Sequence, residues 1–158
     1  MGTLQQQLQR AEKLNPQHLV DIIFNFLASI EAELASLNKD QIYKSSIDIF
    51  GNPLGYYSRA TEYITTNDAL LGKGTRIKKE GDPYDFLQYG EFLKGVYAKA
   101  SKGFVTFGSS DPKTDDILSN IRLLSKSFFG LTDEHKIEVI QNKIKPHLLK
   151  ATRLELGV

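Results

Sequence analysis

The chain has 158 residues, enough for one domain with a real hydrophobic core. With 41% hydrophobic residues, 25% charged residues and a formal net charge of +1, it fits a soluble globular protein and excludes a strong overall field for nucleic acid or an anionic membrane. Cysteine is absent, which excludes disulfides, thiolate metal ligands and a Cys nucleophile.

The first ten residues, MGTLQQQLQR, lack the apolar core of a signal peptide, and no run reaches the roughly 18 apolar residues of a membrane span. The expected organisation is an N-terminal polar arm or helix, 1–14, followed by one globular α+β domain, 15–158. Thr3 can cap a helix from Leu4 to Leu14 whose apolar stripe holds only Leu4, Leu8, Ala11 and Leu14. So narrow a stripe on so short a helix does not fold alone in water, so the segment is a flexible arm or docks on something, a neighbouring subunit included.

Asn15 is a good N-cap and Pro16 suits the first helical position, where its missing N–H costs nothing. Leu19, Ile23, Phe26, Ile30, Leu34 and Leu37 then recur in steps of about 3.6, which predicts a long amphipathic helix whose stripe packs on the sheet. Asn38-Lys39-Asp40 interrupts this pattern, after which Ile42, Tyr43 and Ile47 are expected to continue as a second helix or a kinked extension. Phe50-Gly51-Asn52-Pro53-Leu54-Gly55 is rich in turn formers, and Ser58 can cap a short helix through Ile64, with Tyr57 as a hydrophobic staple. Residues 65–83, with three glycines and the basic Lys73, Arg76, Lys78 and Lys79, are expected to form a long exposed loop.

Tyr84 to Leu93 predicts a short helix, after which the period changes from 3.6 to 2. Val96, Ala98 and Ala100 alternate with Tyr97 and Lys99, and Ser101-Lys102-Gly103 separates them from Phe104-Val105-Thr106-Phe107. This predicts an antiparallel hairpin over about 96–107, packed against the N-terminal amphipathic helix and C-terminal helices. Further on, Thr114 to Leu124 is helical in pattern, and Phe128-Phe129-Gly130-Leu131 forms a compact apolar element. Thr132 caps a last helix, with Pro146 expected to kink or break it near Lys145.

Chemical signatures are absent from the pattern. His18, His135 and His147 have no partner at ligand spacing and are expected to be solvated, so no metal site is predicted. In Leu71-Gly72-Lys73-Gly74-Thr75, Gly74 follows the lysine where a phosphate loop needs Ser or Thr. Gly108-Ser109-Ser110 lacks the closing glycine of a nucleophile elbow, and Asp115-Asp116 are adjacent on a helix and do not face one site. No cofactor is expected.

The order of three stretches carries a resemblance. Ile49-Phe50-Gly51-Asn52-Pro53-Leu54-Gly55-Tyr56-Tyr57-Ser58-Arg59-Ala60-Thr61 is followed by a loop bearing Lys and Gly. Next comes Tyr89-Gly90-Glu91-Phe92-Leu93-Lys94-Gly95 entering the hairpin, and later Phe129-Gly130-Leu131. Over residues 17–150 the chain resembles the virion-morphogenesis and tail-completion proteins of tailed bacteriophages. It departs from their pattern at Tyr89, where Thr is usual, and at Gly95, where Ser is common.

The resemblance implies a non-enzymatic structural protein of the phage neck or tail, a tail-completion or head–tail connector subunit. It implies a ring between portal and tail, with copies of itself and other neck, portal or tail proteins as partners. Proximity to packaged DNA follows from that position, as does a place in the virion after assembly in the host cytoplasm. No membrane and no small-molecule substrate is implied. The subunit interface is expected at Tyr97, Lys99, Phe104 and Thr106 on the outer hairpin face and at Lys73, Arg76, Lys78 and Lys79. In the alternative arrangement Tyr97 and Phe104 lie under the 113–124 helix of their own chain. Two other function classes stand beside this one: a protein-binding module using the 96–107 hairpin edge, and an enzyme whose site draws on Tyr84, Asp85 and Lys94.

Overall fold

The computed structural model describes residues 3–73, 76–87, 90–122 and 125–157. Gly74, Thr75, Tyr89 and Leu124, which enter the sequence argument, lie outside these. The architecture is α+β, with helices packed around one two-stranded antiparallel sheet. Helix starts fall where the residue types place them. Thr3 forms a capping box with Gln6 ahead of α1 (Leu4–Lys13), and Asn15 accepts from the His18 N–H ahead of α2 (Pro16–Ser29). Ser58 caps α4 (Arg59–Leu70) and Thr132 caps α8 (Asp133–Val139). In each case a side-chain oxygen takes an N–H that has no partner inside the helix.

The stripe from 19 to 37 is carried by two helices, because α2 ends at Ser29 and α3 (Glu31–Asp40) follows. Ile30 leaves helical geometry at φ −113°, and the Ser29 hydroxyl donates to the Phe26 carbonyl at 2.6 Å, competing with the backbone for that acceptor. Of that stripe only Leu34 is fully buried, with Ile30 and Leu37 partly buried beside it. Leu34 and Ala35 are buried against Ala98 of the sheet, whereas α2 buries no residue completely. Phe26, expected against the sheet, is half-buried and stacks instead on His147, with ring centroids 4.2 Å apart. Nor does Asn38-Lys39-Asp40 interrupt the helix. It continues through them and widens into a π turn, Gln41–Ser45, which closes at Ser46 in the left-handed region.

The hairpin pairs β1 (Val96–Ser101) with β2 (Phe104–Ser109), two residues longer than predicted. Ser101 pairs with Phe104, so the turn is Lys102-Gly103 alone, and Gly103 at φ +94° supplies a conformation that other residues resist. Directly paired residues share a face. Val96, Ala98 and Ala100 face inward with Val105 and Phe107, while Tyr97, Lys99, Phe104 and Thr106 face outward. The small alanines let α3 sit close on β1. A second apolar cluster joins Ile42, Leu54, Phe92, Val96, Leu118, Phe128 and Phe129.

Between the clusters runs a buried polar clamp. Asn38 and Gln41 both donate side-chain N–H groups to the Gly130 carbonyl, at 2.7 and 3.2 Å, and the Gln41 carbonyl accepts from the Thr132 N–H at 3.0 Å. Both amides are essentially inaccessible to solvent. The last helical region is continuous from Asp133 to Leu156. A π turn at Ile140–Ile144 precedes α9 (Lys145–Leu156) and takes up the missing N–H of Pro146 in place of a break. Helix α1 meets α9 of its own chain, where the Arg10 guanidinium donates to the Leu156 carbonyl at 3.4 Å, yet Leu4 and Leu8 stay exposed. No helix is long and apolar enough among the described residues to cross a membrane.

Replacing Gln41 with Leu leaves the buried Thr132 N–H without its acceptor and should cost about 2–3 kcal/mol. Phe26→Ala, at a half-buried site, should cost about 1–2 kcal/mol, less than a fully buried phenylalanine. Urea denaturation of both variants checks the ranking; a larger loss at Phe26 would show that the clamp is not the stronger constraint.

Candidate functional site

The basic segment after α4 is not a simple exposed loop. Helix α4 runs to Leu70, six residues past the predicted end, and Lys78 lies back against it, its N–H donating to Thr65 Oγ1 at 3.0 Å. Lys78, expected at the surface among interface residues, is only 5% exposed. Its ammonium donates to Asp85 Oδ1 and to the Leu87 carbonyl at 2.9 Å, and lies 5.3 Å from the centre of the Tyr57 ring. The reason is a partner two residues outside the stretch 65–83 in which it was read: Asp85 supplies the counter-charge that makes burial of a lysine tolerable. Lys73, Arg76 and Lys79 remain exposed, with Lys73 bonded to Asp68 at 2.8 Å and Arg76 3.3 Å from Asp85 Oδ2.

Asp85 is the hub of this cluster. It accepts from Tyr57 Oη at 2.9 Å, from Lys78 and from the Leu87 N–H at 2.9 Å. Burial opposes its ionisation, but the bonds from Lys78, Leu87 N–H and Tyr57 prevail and hold its pKa below the ordinary value. Tyr57 is pushed up to about 12, first by burial and then by the neighbouring carboxylate. Tyr57 therefore serves the cluster and does not staple α4. The same bonds explain why no helix starts at Tyr84. Asp85 is committed to side chains across the chain, and Phe86 sits at φ +53° with its ring against Tyr84, Phe92 and Phe128. The helix there is only α5 (Glu91–Gly95), preceded by Gly90 at φ +79°.

A cleft of about 240 Å³ opens beside Lys78, lined by Thr61, Thr65, Phe86, Phe92, Glu91, Asp111 and Lys113 among others. Its lysine is already bonded to Asp85 and Leu87, so the amine is not held ready as a nucleophile or base. Of Tyr84, Asp85 and Lys94, Tyr84 packs edge-on against Tyr57, which bonds Asp85, and Lys94 is exposed on α5. Among the described residues, no three His, Asp or Glu side chains gather where they could hold a metal ion. The histidines are not simply solvated. His18 pairs with Glu155 at 2.7 Å, His135 Nδ1 lies 3.2 Å from Gln41 Oε1, and His147 stacks on Phe26.

The hairpin is the other candidate. On its outer face Tyr97 is 42% and Phe104 63% exposed, and Lys99 and Thr106 are exposed between them. Helix α6 (Thr114–Asn120) does not cover them. Its Ile117 and Leu118 join the cluster around Phe92 and Phe128 on the other side of the sheet. The Tyr97 ring lies over Gly108, where a β-carbon would come within 2.7 Å of the tyrosine oxygen, so glycine lets the ring lie flat across β2. On the inner face, an apolar groove of about 410 Å³ is lined by Leu27, Val105, Phe107, Val139, Ile140 and Ile144, with Phe129 and Leu131 deeper.

The stretches behind the phage resemblance meet in one place. Leu54, Phe92 and Phe129 belong to the same buried cluster. Gly95 has a reason of its own: a β-carbon there would lie 2.9 Å from Ser109 Oγ and 3.0 Å from the Asp111 N, where β2 leaves the sheet. Asp48 organises the turn region at 46–55, accepting from the Phe50 and Asn52 N–H groups at 2.9 and 2.8 Å.

Asp85→Asn should cost about 3 kcal/mol near neutrality, because it leaves the Lys78 ammonium buried without a full counter-charge. The folded pKa of Asp85 lies below the unfolded one, so its contribution is complete above the ordinary value of 3.8 and is lost as pH falls through the lower folded value. Urea midpoints of parent and variant should therefore converge only in strong acid; a gap that closes by pH 5 would contradict this. No family model matches the chain, and no curated protein or solved structure matches it either.

Proposed function

We propose that the protein is a structural subunit of a phage neck or tail, of the tail-completion or head–tail connector kind, that assembles as a ring between portal and tail. The observation that carries this reading is the outer face of the hairpin. Among the described residues, Tyr97 and Phe104 stand exposed on a two-stranded sheet, with Lys99 and Thr106 exposed beside them. Exposed aromatics on a short sheet are a liability that a neighbouring subunit would remove. A closed ring needs two different patches on each subunit. The exposed Lys73, Arg76 and Lys79 beyond α4 offer the second, facing an acidic neighbour or DNA in the lumen, and Lys78 drops out of that set because it is buried. The order of motifs shared with tail-completion proteins supports the same reading, as does α1, whose Leu4 and Leu8 remain exposed on an amphipathic helix. The protein then works through contacts and not through catalysis, with neck, portal or tail proteins as its partners.

A second reading, docking of another protein at the hairpin edge, is favoured by the open edge of β2, which has no strand against it.

The double variant Tyr97→Ser, Phe104→Lys should fold with a circular-dichroism spectrum and melting profile close to the parent's, since both side chains are exposed. It should fail to enter particles when it replaces the parent during phage assembly. Incorporation at parental levels, or absence of the parent protein from purified particles, would overturn the ring.

A further inference from the structure

We infer that the free edge of β2 is a docking site for an extended segment of a partner protein, which adds to the sheet as a third strand and drops apolar side chains into the groove beside it. This gives an occupant to the docking reading of the hairpin edge and stands apart from the outer-face ring. The two edges of the sheet are treated differently by the fold. At the β1 edge, α3 supplies one partner, its Glu31 carboxylate, which accepts from the Ala100 N–H at 2.7 Å. That bond also fixes the register of the ladder: Ala98 and Ala100 turn their backbone groups away from β2, so Phe107 and Val105, paired with them, turn theirs away from β1. Among the described residues, none of these outward groups of Val105 or Phe107 has a hydrogen-bond partner.

A row of unpaired backbone donors and acceptors recognises a strand and nothing else as economically, since each group needs a peptide N–H or C=O at 4.8 Å strand spacing. The side chains of an added strand opposite Val105 and Phe107 lie on the inner face of the sheet. There they meet the apolar groove walled by Val139, Ile140 and Ile144. The occupant therefore carries an apolar residue at every second position. A second copy fits less well. Pairing β2 with itself about a two-fold axis would put two such walls on the same face of the joined sheet, where they compete for the space beside the paired strands. An extended segment brings side chains without a wall.

The test titrates the full-length protein with an acetylated, amidated nine-residue peptide that alternates Val with Thr and Glu, followed by amide NMR. The control peptide has the same composition with its valines in one block. The alternating peptide should shift Val105, Phe107, Val139 and Ile140 and bind at least about tenfold more tightly than the control. Val105→Pro removes one outward N–H at a position where an edge strand tolerates proline, and should weaken binding at least about tenfold. Ile140→Glu, at a half-exposed wall position, should do the same and decides the matter if the proline variant does not fold. The Tyr97→Ser, Phe104→Lys variant should bind the peptide as the parent does, which keeps this outcome separate from that of the ring. No response of β2 amides at millimolar peptide, or equal affinity in parent and folded variants, would overturn the inference. So would a parental dimer in sedimentation that Val105→Pro abolishes, because the edge would then belong to a second copy.

Discussion

The fold depends on two amide side chains buried between its apolar clusters. Asn38 and Gln41 leave the inner side of α3 and its π turn and take hold of the backbone at Gly130 and Thr132. A carbonyl and an N–H buried at that depth need partners, and unpaired each would cost about 1–3 kcal/mol. The clamp therefore fixes the approach of the C-terminal helices to the N-terminal ones. Gly130, at φ +141° and with Ile49 3.1 Å from where a β-carbon would be, supplies the sharp approach that this geometry requires. The widened turn at Gln41–Ser45 is what directs Gln41 toward Thr132 and, at 3.4 Å, toward the Asp48 carbonyl.

A charged cluster does for the segment between α4 and α5 what the amides do for the core. The described residues between Gly72 and Gly90 carry little regular structure and are held by Asp85, which gathers Tyr57, Lys78 and the Leu87 N–H, with Arg76 on its second oxygen. Buried charge is weak evidence for stability but strong evidence for a defined arrangement, because either partner alone would be left uncompensated. The consequence is that a lysine in a basic run lies inside the protein, while Lys73, Arg76 and Lys79 stay on the surface, Lys73 paired with Asp68 and Arg76 with Asp85.

The sheet is the least symmetrical part of the molecule. One edge meets the Glu31 carboxylate of α3, one face is packed by Leu34 and Ala35, and among the described residues no strand pairs with the edge of β2. Two strands alone are marginal in water, and β1 gains its stability from the helix against it. The proposed assembly through the outer face and the proposed strand addition at the β2 edge would each extend this two-stranded sheet.

The sequence by itself determined what local chemistry controls. Thr3, Asn15, Ser58 and Thr132 mark helix starts because a cap needs only its own next turn, and the change of period at Val96 gives the hairpin and its two faces because alternation is a property of the strand alone. The small α+β class followed from those signals. Tertiary structure decided whatever depends on a distant partner. Asn38 has the composition of a helix breaker and is a core residue, because Gly130 is 92 positions away in sequence and 2.7 Å away in space. Lys78 belongs by composition to an exposed basic run and is buried, because Asp85 and Tyr57 converge on it. Whether Tyr97 and Phe104 lie under α6 or in the open could not be read from their alternation, which fixes the face and not what covers it. That was settled by α6 packing on the opposite side of the sheet, where Leu118 finds Phe92 and Phe128.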